Sequence, residues 1–200
     1  MMMMTHGPHE SAHLVVLAPG DSGRLEDTAP TLISERLAAA GVRVVRFAFP
    51  DCNSRDGALR DELLSAQIKA AVGAHLGQRT LILGGLSRGA RVSASLARTL
   101  GARGLLGFAY PFHAREDPDT HGRERELGAL GVPALICQGT RDSHGNREQL
   151  RGYGLPDHIR VHWLEDANHA LHPRERSGFT QAEQLADACR VAADFIAALP

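Results

Sequence analysis

The segment LILGGLSRGARVSASLA, residues 81–97, is the strongest indication of the fold in this sequence. It begins with the apolar run LIL, which is typical of a buried strand. The pentapeptide GLSRG follows at positions 85–89, and beyond it the apolar residues have a partly helical spacing. The segment therefore predicts a strand, a sharp turn and a helix, with Ser87 at the tip of the turn.

A serine at such a tip must take a strained backbone conformation. Glycine two positions before and after it, here Gly85 and Gly89, lets the chain fold back without side-chain clashes. The turn also points backbone N–H groups toward the start of the helix, where developing negative charge is favoured. The pattern favours a nucleophile elbow, although GxSxG alone is also compatible with an ordinary strand-to-helix turn.

Length and composition indicate one globular domain. The chain has 200 residues, 43% of them hydrophobic and 22% charged, with a formal net charge of −1. A near-zero charge favours neither nucleic acid nor an anionic membrane surface. The first residues lack the apolar core of a signal peptide, and no apolar run approaches the roughly 20 residues of a membrane-spanning helix. We expect a cytoplasmic protein.

Cysteine and histidine usage predicts neither disulfides nor a metal site. Cys52, Cys137 and Cys189 are odd in number and widely spaced, which is typical of reduced thiols. The N-terminal histidines, such as His6 and His9, lie in a region without strand or helix periodicity to hold a metal ion. No GxGxxG follows the first predicted strand, so we predict no dinucleotide cofactor.

The remaining chain alternates strands and helices. We expect residues 1–12 to be a flexible tail and residues 13–200 to form one domain. Predicted strands lie at 13–18, 42–49, 81–83, 104–110, 133–138 and 159–164, and predicted helices begin near 27, 56, 90, 127, 147 and 180. Alternation of this kind predicts a mainly parallel sheet of about six strands covered by helices on both faces, an α/β fold of three layers. No insertion is long enough for a large cap domain.

Three polar residues follow the ends of different predicted strands. Ser87, Asp142 and His169 would meet at the carboxyl edge of a parallel sheet, where ligands bind. In that arrangement the imidazole would accept the serine proton, and the carboxylate would orient the imidazole. The chain order of serine, acid and histidine is that of an α/β-hydrolase triad.

Other residues compete for two of these roles. His172 is the nearest alternative to His169, and Asp166 lies too close to His169 in sequence to be the preferred acid. Asp117 and Asp119 follow the fourth predicted strand, where some hydrolases place their acid.

A tetrahedral intermediate also needs an oxyanion hole, which two backbone N–H groups can form. We expect one from Arg88, directly after the nucleophile, and one from Asp21 in the loop after the first strand. Gly20 would allow that loop to approach closely.

Four motifs together resemble the small α/β-hydrolase-like family that includes testis-expressed protein thirty and a subunit of a histone acetyltransferase complex. The motifs are GGLSRGARVSASLA, LLGFAYPFH, PALICQGTRDSHGN and DANHALHPRERSG. The chain is more distantly similar to dienelactone hydrolases. The resemblance implies a capless core with Ser87, Asp142 and His169 as the triad, and it implies no particular substrate. Pro19 stands where a histidine is usual in that family.

These features predict a serine hydrolase that acts on a small ester or thioester with a short acyl group. The alternative is a noncatalytic module that keeps the fold to bind a protein, since a fold does not establish turnover. Residues 110–113 are candidates for the pocket lining. Five arginines could attract an acidic acyl group or form a solvated surface: Arg115, Arg123, Arg125, Arg174 and Arg176.

Overall fold

A computed structural model describes residues 2–49, 56–114 and 123–200 of the chain. Its strands are Met3–His6 (β1), His13–Ala18 (β2), Arg43–Phe47 (β3), Thr80–Leu86 (β4), Gly104–Phe108 (β5), Ala134–Gly139 (β6) and Ile159–Leu164 (β7). Its helices are Thr28–Ala39 (α1), Gly57–His75 (α2), Arg88–Ala97 (α3), Arg123–Gly128 (α4), Arg147–Leu150 (α5) and Gln181–Ala197 (α6). A 3₁₀ turn at Glu175–Ser177 precedes α6.

The strands form one sheet in the order β1-β3-β2-β4-β5-β6-β7. Strands β2 to β7 pair in parallel with their neighbours and correspond to the six predicted strands. The prediction of an α/β fold with a mainly parallel sheet is confirmed. The carboxyl ends of these strands share one edge, so the loops after them lie together.

The prediction of a flexible tail is wrong for residues 3–6, which form β1 antiparallel to β3. The polar tail has no strand pattern of its own, but the outer edge of β3 offers unpaired backbone groups. The buried Arg46 side chain also donates from Nε to Nε2 of His6 at 3.0 Å. Burial and the Arg46 charge lower the pKa of His6, consistent with a neutral imidazole as the acceptor.

Two apolar layers cover the sheet. Alternate residues of a strand point to opposite faces, and β2 shows this directly. Val15 packs in one cluster with residues of α1 and α6, whereas Val16 packs in the other with residues of α2 and α3. Both residues are fully buried. The interior of β2 is therefore apolar on both faces of the sheet.

Side-chain hydrogen bonds cap the starts of α2 and α6 but not the start of α1. Asp56 caps α2 by accepting from the N–H groups of residues 58 and 59, and Thr180 forms a capping box with Glu183 at α6. Asp27 precedes α1 but makes no side-chain bond to that helix. Its carboxylate accepts from the Ser22 hydroxyl instead.

Two of the three cysteines lie inside the described residues. Cys137 and Cys189 are buried free thiols, and burial raises the pKa of both, to about 12 for Cys189. Cys52 lies outside the described residues, as do Arg115, Asp117 and Asp119. In the described parts of the chain, no helix is long and apolar enough to cross a membrane.

The loops after β6 and β7 are joined through their backbones. The Arg141 N–H donates to the Ala167 carbonyl at 3.0 Å. A Cβ on Gly139 would lie only 2.4 Å from that same carbonyl oxygen. Only a glycine at this position allows the two loops to meet so closely.

We expect Gly139→Ala to lower the free energy of unfolding by about 1–3 kcal/mol, because the new methyl group overpacks rigid backbone. Gly73→Ala is the matched control, because nothing lies within 4 Å of its Cβ position in α2. That change should stabilise the protein by roughly 0.5–1 kcal/mol through helix propensity. Urea denaturation measures both, and equal stability of Gly139→Ala and wild type would contradict the close contact.

Candidate active site

Ser87 occupies the strained tip of the turn between β4 and α3. Its backbone has φ 49° and ψ −118°, a conformation that costs a residue other than glycine about 1–3 kcal/mol. The Ser87 N–H donates to the carbonyl of Phe108 at 2.9 Å, which anchors the turn to the neighbouring strand β5. The predicted strand, sharp turn and helix are confirmed.

The glycines on either side of Ser87 are required by close backbone approaches. A Cβ on Gly85 would lie 2.4 Å from the carbonyl carbon of Gly89. A Cβ on Gly89 would lie 2.4 Å from the carbonyl oxygen of Pro19, in the loop after β2. The two glycines therefore let the chain fold back on itself and let α3 begin directly against that loop.

The three side chains singled out in the sequence form a hydrogen-bonded series. Ser87 Oγ lies 2.8 Å from Nε2 of His169, and Nδ1 of His169 lies 2.9 Å from both carboxylate oxygens of Asp142. The His169 side chain is 27% exposed, whereas that of Asp142 is fully buried. The series thus runs from a buried carboxylate to a hydroxyl at the surface.

Asp142 is held by neutral donors as well as by His169. Its carboxylate accepts from the N–H of His144 at 2.7 Å and from the side-chain amide of Gln138 at 3.0 Å. A buried carboxylate needs such partners to stay ionised. Gln138 was missed in the sequence, although a glutamine inside an apolar strand, four residues before the acid, is the signal that indicates it.

The competing residues make other contacts. Asp166 forms ion pairs with Arg174 and Arg141, and the hydrogen bond from Arg174 lowers the pKa of Asp166. His172 lines a pocket beside Ser87, but the imidazole within hydrogen-bond distance of the Ser87 hydroxyl belongs to His169. Arg174 is thus engaged by a carboxylate.

The predicted oxyanion residues lie next to Ser87. Arg88 is the first residue of α3, and a Cβ on Gly20 would lie 3.8 Å from the Ser87 Cβ, so the loop after β2 runs beside the hydroxyl. The roles of the Asp21 and Arg88 N–H groups stay a prediction.

The side chains of Asp21 and Arg88 tie this loop to the helices. Asp21 Oδ1 accepts from Nε of Arg88 and Nη2 of Arg60, both at 2.8 Å. Burial by itself would raise the pKa of Asp21, but the hydrogen bond from Arg88 and the nearby positive charges hold it below its usual value. No pattern in the sequence indicates this bridge between the two side chains.

Two pockets formed by described residues include both Ser87 and His169 in their lining. The smaller, of about 200 Å³, is lined also by Arg88, Arg91, Pro111, Ala114, Arg123 and His144. The larger, of about 440 Å³, is lined also by Ala29, Pro30, Leu86, Ala170, His172 and Gln181.

The expectation that residues 110–113 line the pocket is correct only for Pro111. Tyr110 and Phe112 are fully buried in the apolar layer, where their rings pack edge to face. His113 is buried as well.

His144 packs directly against His169. Their ring centroids are 4.2 Å apart, and Nδ1 of His144 lies 3.1 Å from the carbonyl oxygen of His113. Burial, followed by the charge of His169, lowers the pKa of His144, although the carbonyl of His113 and the carboxylate of Asp142 oppose the shift. A neutral imidazole therefore stands beside His169 near pH 7.

Among residues 2–49, 56–114 and 123–200, no three His, Cys, Asp or Glu side chains are grouped so that they could hold a metal ion.

The lowered pKa of His144 predicts a loss of stability in mild acid. The unfolded chain, with a histidine pKa of about 6.5, binds a proton that folded His144 resists, so stability falls as pH drops below that value. His144→Asn should lose less stability than wild type between pH 7.5 and 5. Thermal melts at each pH measure this, with the exposed His9→Asn as control, and equal pH slopes for wild type and His144→Asn would contradict it.

Three solved structures resemble this chain in fold. An alpha/beta serine hydrolase homologue from Coxiella burnetii shares 19% identity, covering 97% of this chain and 89% of that one, with a TM-score of 0.70. A serine hydrolase without a lid from Xanthomonas campestris shares 20% identity, covering 99% and 89%, with a TM-score of 0.72. Est1E from Butyrivibrio proteoclasticus, with ferulic acid bound, shares 13% identity, covering 98% and 95%, with a TM-score of 0.75.

These identities are low enough that the structures indicate the shared fold alone. The match to a sequence family is more specific, because the alpha/beta hydrolase domain matches residues 11–197, nearly the whole chain. Like its lidless structural neighbour, this chain has no large cap domain among its described residues. The chain belongs to the alpha/beta hydrolase family.

Proposed function

We propose that the protein is a serine hydrolase that cleaves a small carboxylic ester or thioester through an acyl-enzyme. The observation that carries the proposal is the series from the Asp142 carboxylate through the His169 imidazole to the Ser87 hydroxyl, with contacts of 2.8–2.9 Å. It lies at the start of a helix and opens onto two pockets.

In the proposed reaction Ser87 Oγ attacks the substrate carbonyl carbon while Nε2 of His169 accepts the hydroxyl proton. The carbonyl oxygen becomes an oxyanion, which the N–H groups of Arg88 and Asp21 stabilise. Collapse of this intermediate breaks the bond to the leaving oxygen or sulfur, which takes the proton from His169. A water molecule then attacks the acyl carbon while His169 accepts its proton. The bond to Ser87 Oγ breaks, Ser87 takes the proton back from His169, and the carboxylic acid is released.

Asp142 supports both proton transfers without changing its own protonation. Its negative charge stabilises the imidazolium that forms when His169 holds the proton, and its two contacts to Nδ1 select the tautomer with a free Nε2 lone pair. The neutral donors from Gln138 and the His144 backbone keep the carboxylate oriented.

The sizes of the pockets favour short acyl groups. Ligand pockets usually measure roughly 300–1,000 Å³. The smaller pocket, at about 200 Å³, is below this range, and the larger, at about 440 Å³, is in its lower half. The ferulic acid bound to Est1E shows that one structural neighbour accepts a compact aromatic acid.

Within the alpha/beta hydrolase family, the elbow, acid and histidine motifs support assignment to the group of testis-expressed protein thirty. Some members of that group serve in protein assemblies, so a noncatalytic interaction module is the alternative function. We propose a cytoplasmic location, which rests on the sequence patterns alone.

A fluorophosphonate probe should label folded wild type at Ser87, because only an activated serine attacks phosphorus at neutral pH. Ser87→Ala should abolish labelling and lower ester hydrolysis by about 10⁴-fold or more. Ser95→Ala, on the exposed side of the same helix, is the matched control and should label normally. Folded wild type that takes up no probe would favour the noncatalytic alternative.

Asp142→Asn should keep the fold and lower kcat by about 10⁴-fold, because an amide favours the wrong tautomer of His169. KM should change much less. The exposed Asp157→Asn is the control, and circular dichroism verifies folding. A kcat within tenfold of wild type would rule out Asp142 as the orienting acid.

A further inference from the structure

The smaller pocket beside Ser87 is rich in positive charge. Three of its lining side chains are arginines, Arg88, Arg91 and Arg123, and the carboxylate among its lining residues is Asp21. The larger pocket has no arginine among its described lining residues and includes alanine, proline and leucine side chains. The two pockets therefore present different chemistry to the two ends of a substrate.

The carboxylates around the smaller pocket are outnumbered by guanidinium groups. Asp61 of α2 is shared, accepting from Nη1 of Arg88 at 2.7 Å and from Nη2 of Arg91. Asp21 is also shared, between Arg88 and Arg60. With Arg123 and the Glu126 carboxylate that attracts it included, four guanidinium groups face three carboxylates among the described residues, so positive groups are in excess in that set.

Arg88 and Arg91 form ion pairs with carboxylates, whereas Arg123 forms none with a carboxylate of the described residues. Its Nη1 donates to the Pro111 carbonyl at 3.2 Å, and a guanidinium has five N–H donors. Burial lowers the pKa of Arg123, and repulsion from Arg91 adds to the shift. Glu126 attracts Arg123 but is itself exposed and lies outside the pocket lining.

We propose that the smaller pocket binds a carboxylate of the substrate through Arg123 and Arg91, so that the preferred ester or thioester carries a second, anionic carboxyl group. This rests on the proposed hydrolase function. Guanidinium groups bind carboxylates through paired, charge-assisted hydrogen bonds. Because the pocket measures about 200 Å³ and includes Ser87, that carboxylate lies only a few atoms from the scissile carbonyl.

Two matched ester pairs test the proposal and identify which side of the ester carries the charge. For the acyl side, p-nitrophenyl hemiglutarate is compared with p-nitrophenyl pentanoate, with spontaneous hydrolysis subtracted. For the leaving-group side, 4-acetoxybenzoate is compared with 4-acetoxybenzamide. Wild type should prefer the anionic member of one pair by about tenfold or more in kcat/KM. The preference should shrink at high salt, because screening weakens charge pairing.

Variants assign the preference to the arginines. Arg123→Gln should lower the ratio of anionic to neutral kcat/KM by about tenfold, and Arg123→Lys should restore part of it. Arg98→Gln removes an exposed arginine just beyond the end of α3 and should leave the ratio at the wild-type value. A ratio near one in both pairs, or one that Arg123→Gln leaves intact, would overturn the proposal.

A binding measurement separates this proposal from hydrolase activity. Calorimetry of glutarate with the Ser87→Ala variant requires no turnover, and adding Arg123→Gln should weaken that binding by about tenfold. Glutarate binding without any ester hydrolysis would contradict the proposed hydrolase function and support the carboxylate site. Hydrolysis of neutral esters, without glutarate binding or a preference for anionic esters, would contradict the carboxylate site and support the hydrolase function.

Discussion

The site depends on one backbone constraint, the left-handed conformation of Ser87 at φ 49°. A residue with a Cβ adopts that conformation only where its surroundings compensate the strain. Here the N–H of Ser87 is bonded to the Phe108 carbonyl, and the glycines at 85 and 89 admit backbone atoms that any side chain would displace. The strained backbone conformation of Ser87 thus occurs at the residue whose hydroxyl contacts His169.

The parallel sheet provides the second requirement, which is a common edge for loops distant in sequence. Strand β6 delivers Asp142 and β7 delivers His169, while Gly139 allows their loops to touch through the backbone. The acid is buried and the imidazole partly exposed, so the carboxylate is shielded from water while His169 is accessible to a ligand. The backbone contact between the loops after β6 and β7 therefore contributes both to the fold and to the position of Asp142 beside His169.

The features predicted correctly are those that depend on residues close together in the sequence. The six parallel strands follow from apolar runs, and the elbow follows from the spacing of two glycines around Ser87. Strand β1 could not be predicted, because its four pairings use the backbone edge of β3, about forty residues away. The bridge from Asp21 to Arg88 joins residues 67 apart in sequence, and no periodicity signals such a contact. Tyr110 and Phe112 were predicted to line the pocket but are buried in the core. The direction of the turn after β5 decides which way these side chains point, and the sequence does not show that direction.

Asp61 has a consequence that extends beyond its own hydrogen bonds. It lies on α2, outside the residues that line either pocket, yet it balances the charges of Arg88 and Arg91 on α3. The electrostatic character of the cleft can thus be altered by a full charge unit from a position that no substrate needs to touch.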